Sequence, residues 1–129
     1  MNTVEVKPII EKELLESLQE KFEEEKQVIV NCYYHSSSGF DMIRVWPSTF
    51  LIDLDSDHVS QLIHAENISM FPQWTDVPYG KDYCFTLIFS GLPKSCERFD
   101  LAEIIPESNG FYVESIKRNK TDIYHVKIE

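Results

Sequence analysis

Glycine is scarce in this chain, four in 129 residues, and none sits in the clustered loop whose backbone N–H groups cradle a phosphate. Chemistry of the phosphate-loop kind is thereby set aside. Cysteine is scarce as well. Cys32, Cys84 and Cys96 lie far apart without a Cys-x-x-Cys pair, and an odd count with no export signal predicts reduced, mostly buried thiols. Basic residues are outnumbered, 12 Lys and Arg against 22 Asp and Glu, and a net charge of -10 repels phosphate backbones and anionic headgroups. Nucleic acid is not expected as a partner. The one basic cluster, Lys117-Arg118-Asn119-Lys120, has Glu114 and Asp122 at its flanks and reads as a solvated turn. No segment approaches the ~20 apolar residues of a membrane span. The first ten residues carry no basic stretch leading into an apolar run. The expectation is a cytoplasmic protein with no membrane partner, in which the sequons at Asn67 and Asn119 are chance matches.

What the chain has is apolar material: 43% hydrophobic and 12% aromatic residues, enough for one core and one domain over 1–129. Residues 8–26 predict an amphipathic helix, because Ile10, Leu14, Leu18 and Phe22 recur every fourth residue and charged side chains fill the rest. Pro8 suits the first turn. A helix this short is marginal alone, so its apolar stripe packs on the β domain, pairs with its copy in a homodimer or docks on a partner protein.

The remainder reads as strands. Gln27–His35 and Phe40–Trp46 flank the turn Ser36-Ser37-Ser38-Gly39 and predict a hairpin; Thr49–Asp53 and Val59–His64 flank the acidic turn 53–57 and predict a second. Residues 68–81 are rich in proline and aromatics, lack a period and read as a long loop. Tyr83–Phe89, Phe99–Ile105, Phe111–Ile116 and Ile123–Ile128 complete the set at a spacing of about a dozen residues, which marks an antiparallel sandwich or barrel. On the first of these, Tyr83, Phe85, Leu87 and Phe89 share the core face.

Few residues carry a chemical signal. Asp53-x-Asp55-x-Asp57 opens like a calcium loop, but His58 stands where glycine belongs and His64 where a bidentate glutamate belongs, so an acidic hairpin turn is the plainer reading. His35, His58, His64 and His125 have no partner at ligand spacing, His64 with Glu66 coming nearest. No metal and no cofactor is expected. Cys96 beside Lys94 is the one thiol in a basic turn, yet no oxyanion-type frame surrounds any Ser or Cys, and no catalytic residue is assigned. The aromatic residues in and beside the long loop, Trp46, Phe71, Trp74 and Tyr79, are the candidate contacts for a ligand or partner; the alternative is a lid on the core.

The pattern Tyr83-x-Phe85-Thr86-Leu87-Ile88-Phe89-x-Gly91-Leu92-Pro93-Lys94, followed by Phe99-Asp100-Leu101 and closed by Tyr124-x-Val126-x-Ile128, resembles small immunoglobulin-like sandwich modules of bacteria. That resemblance implies a structural or interaction module and brings no catalytic residue. The expected fold is mainly β, an antiparallel β-sandwich of seven or eight strands with the 8–26 helix packed on 27–129. The expected function is non-enzymatic binding. Two alternatives remain open: a small β-barrel enzyme whose metal or cysteine site is built from residues distant in sequence, and a carbohydrate-binding module.

Overall fold

The computed structural model describes residues 26–37 and 41–128, and within them the chain is mainly β. Nine strands follow one another: β1 (Val28–His35), β2 (Asp41–Ile43), β3 (Thr49–Asp53), β4 (Val59–Glu66), β5 (Thr75–Val77), β6 (Asp82–Phe89), β7 (Arg98–Glu103), β8 (Tyr112–Lys117) and β9 (Ile123–Ile128). Seven of them form one sheet in the order β8-β7-β3-β4-β6-β1-β9, and β2 pairs with β5 in a small second sheet.

Strand β4 turns the large sheet through a corner. Its first residues pair with β3, Ser60 opposite Leu51, and its later ones with β6, Ala65 opposite Leu87, with a slip in register at Ile63. A bulge of this kind bends a strand and adds twist. The sheet therefore folds over its own apolar face, and β8 and β9, the strands at its two ends, come side by side in a barrel-like form. The enclosed core is built on the alternation of each strand: Val28, Val30 and Cys32 of β1, Phe85, Leu87 and Phe89 of β6, and Tyr124, Val126 and Ile128 of β9 point inward. Phe99 meets Tyr124 edge to face at 5.0 Å between centroids.

Three expectations change. Among the described residues the strands number nine, against about seven or eight expected, and β1 runs parallel to β9, Val30 opposite Tyr124, so the sheet is mixed and continuous rather than a pair of antiparallel layers. The first hairpin does not form. β1 takes β6 and β9 as neighbours, which pairs the backbone groups on both its edges, whereas the half-exposed β2 pairs with β5, which lies inside the stretch expected to be loop. The second hairpin, β3 with β4, is as expected. The helix expected over 8–26 lies outside the described residues, save Lys26.

At one end of the barrel the turn between β8 and β9 is held by a buried ion pair. Arg118 Nε and Nη2 donate to the two Asp122 carboxylate oxygens at 2.6 and 3.1 Å, and Nη1 donates to the carbonyls of Pro93 and Cys96. Tyr124 donates its hydroxyl proton to Asp122 as well, at 2.8 Å. The Arg118 and Asp122 side chains are 18% and 6% exposed, so removing one partner strands the other charge away from water. Arg118→Met is therefore expected to lower unfolding free energy by about 3–5 kcal/mol in urea titrations. The double variant Arg118→Met/Asp122→Asn is expected to recover part of that loss, and simple additivity of the two substitutions would count against the pair.

Candidate functional site

The opposite end of the barrel carries the aromatic residues. The segment after β2 bonds to the long loop, Val45 N–H to Ser69 O and Phe71 N–H to Val45 O, and with the β2–β5 pairing this folds the loop across the barrel mouth. Three of the four aromatic candidates are thereby brought together. The Trp46 and Phe71 rings stack at 3.8 Å between centroids with planes 27° apart, and Trp74 faces the same group. Tyr79 is left apart, 64% exposed.

At the centre of the cluster is Arg44. Its Cζ lies 3.8 Å from the Trp74 ring centroid, 4.6 Å from that of Phe71 and 5.7 Å from that of Trp46, and Nη1 donates to Pro72 O at 3.1 Å. Contacts of this type are each worth about 0.5–2 kcal/mol depending on desolvation. The cation and the rings fix one another.

Beneath the cluster is a cavity of about 270 Å³ whose walls include Tyr34, Ile43, Arg44, Trp46, Ile68, Trp74, Phe85, Glu103, Phe111 and Ile128. Glu103 is its half-buried acid. Its Oε2 accepts the Trp46 N–H at 3.0 Å and its Oε1 the Phe111 N–H at 3.4 Å, so one carboxylate ties together the two loops that form the rim. Gly110 permits that approach: a Cβ there would meet the Glu103 carbonyl oxygen at 2.3 Å. Burial pushes the Glu103 pKa up, against the two N–H groups and the Arg44 charge, which favour the anion. Tyr34 on the cavity wall donates to Asp41 at 3.0 Å, and burial together with that carboxylate raises the tyrosine pKa.

The remaining candidates do not assemble. Asp53 is buried, and its oxygens accept the Asp55 N–H at 2.8 Å and the Ser56 hydroxyl at 2.6 Å, while Asp55 turns away to accept the Glu97 N–H at 3.0 Å. Asp57 is exposed. The acidic stretch closes a hairpin by local hydrogen bonds; its oxygens do not converge on a common point. His58 Nε2 lies 2.9 Å from Ser60 Oγ and 3.0 Å from Gly91 O, and His64 pairs with Glu66 on the exposed face of β4. Among the described residues no three His, Cys, Asp or Glu side chains gather as a cation site. Cys96 is 2% exposed and donates to Arg98 O; burial, then the adjacent Asp53 carboxylate, pushes its pKa up to about 12, the opposite of an activated thiol. Among the described residues no helix is long and apolar enough to cross a membrane.

Arg44 and Glu103 escaped the sequence reading. Each is a lone charge in an otherwise apolar strand-like run, Ile43-Arg44-Val45-Trp46 and Leu101-Ala102-Glu103-Ile104-Ile105, and such a break in apolar context was the signal available. A scan of protein-family models matches none to this chain, and searches of curated proteins and of solved structures return no significant match.

The raised pKa of Glu103 has a sign that can be measured. The folded chain holds this proton more tightly than the unfolded chain, so the associated stability is complete below the ordinary glutamate range and is lost as pH rises through the folded pKa. Urea unfolding of wild type and Glu103→Gln between about pH 4 and about pH 7 is expected to show wild type losing ground to the variant as pH rises. Parallel curves would remove Glu103 as the titrating group.

Proposed function

We propose that this protein is a non-enzymatic binding module and that its ligand sits in the cavity at the barrel mouth. The observation that carries this reading is the cavity itself: an apolar, aromatic concavity of about 270 Å³ with a few convergent polar groups. That is the usual make-up of a small-molecule site in the mouth of a barrel. Sugar binding fits less well, because Arg44 already covers a face of the Trp74 ring on which a sugar would stack.

Both of the chain's tryptophans, Trp46 and Trp74, line the cavity, so its occupancy is open to fluorescence. The neutral apolar dye N-phenyl-1-naphthylamine is expected to bind saturably, one per chain, with energy transfer from tryptophan. Met42 lies on the exposed rim, and Met42→Trp, which fills the opening, is expected to weaken the dye by about tenfold. Non-saturable uptake, or equal affinity in the variant, would refute the cavity as the site.

A further inference from the structure

Arg44 is the only basic side chain among the described residues that line the mouth cavity. A guanidinium has five N–H donors in a planar fork, and among the described residues Arg44 makes one hydrogen bond, through Nη1 to Pro72 O. The aromatic rings around it hold the group in place without accepting the rest of the fork. Donors left over in an apolar wall are costly unless water or a ligand accepts them. A guanidinium pre-positioned by stacked rings is also the group best suited to a planar, two-oxygen acceptor.

The neighbouring groups narrow the choice. A cationic ligand would compete with Arg44 for the aromatic faces, and each Glu103 oxygen already accepts one backbone N–H. A dianion would meet Glu103 and Glu107 on the same wall in a chain of net charge -10. A single negative charge fits both constraints.

We propose that the mouth cavity takes a small monocarboxylate with an apolar body, its two oxygens accepting the free N–H groups of Arg44 and its body lying against Trp46, Trp74 and Phe85. The proposal rests on the cavity being a ligand site and adds the chemical class of the ligand. Arg44 then determines specificity, and the apolar wall supplies affinity common to any chain of the same length.

The test compares octanoate, octanol and octylamine, three probes with one apolar body and different heads, by titration calorimetry and tryptophan emission at neutral pH. Octanoate is expected to bind about tenfold more tightly than octanol, with octylamine no better than the alcohol. The octanoate-to-octanol ratio within one variant is the readout, so a general loss of binding cancels. In Arg44→Met the ratio should collapse toward one; in Arg44→Lys, which keeps the charge and loses the fork, it should fall part of the way. Equal binding of acid and alcohol, tightest binding of the amine, or an unchanged ratio in Arg44→Met would overturn the monocarboxylate assignment while leaving the cavity as a site. Failure of all three probes and of the neutral dye would overturn the site and the assignment together.

Discussion

The architecture depends on the Arg118–Asp122 pair, because the chain must leave β8 at one end of the sheet and enter β9 at the other. Five residues make that passage, and no ladder joins the two strands they connect. Asp122 serves the passage twice. Its carboxylate holds the guanidinium that binds the carbonyls of the β6–β7 connection, and its own carbonyl accepts the Ile29 N–H that opens the parallel β1–β9 register. The residue adopts a positive φ of 56°, a conformation an aspartate tolerates better than most side chains. Desolvating two charges for this purpose is costly, and the four carboxylate and carbonyl contacts of Arg118, with the Tyr124 hydroxyl sharing Asp122 Oδ1, are what offset it.

The mouth repeats the device with different chemistry. There Glu103 accepts N–H groups from two loops as Asp122 accepts the guanidinium, but only half-buried and with an aromatic cluster in place of a second set of carbonyls. One end of the barrel is closed by a polar node in which Arg118 places four of its five N–H donors. The other end keeps a cavity and a cation with donors to spare. Difference in satisfaction, more than difference in composition, is what distinguishes the two ends.

Legibility in the sequence followed the length and strictness of the local pattern. Strands β6 and β9 alternate cleanly, and the Asp53 to Asp57 turn between β3 and β4 carries its own hydrogen-bonding side chains, so all three could be read from local chemistry. The partners of β1 could not. Val28 to His35 is equally compatible with a hairpin to the following strand and with a central position between β6 and β9, and the choice is made by pairing on both edges, a long-range quantity. The three-residue β5 is too short to show a period. The aromatic cluster was visible as composition, Trp46, Phe71 and Trp74, yet its centre was not, because Arg44 matters only once the loop is folded across it. Glu103 likewise gains meaning from Gly110 and Phe111, whose close approach the sequence does not announce.

The parts that form the cavity are held differently from the parts that form the barrel. Strand β2 has three residues, none fully buried, and joins the rest through β5, the hydrogen bonds of Tyr34 and Ser36 to Asp41, a bridge at Val45 and the ring contacts of Arg44. Segments with few buried contacts occupy the low end of the local stability range, whereas β1 and β6, with inward side chains almost wholly buried, occupy the high end. Binding in the mouth would then order mainly the β2 segment and the loop before β5, and its entropic cost would fall on elements whose rearrangement leaves the core packing untouched.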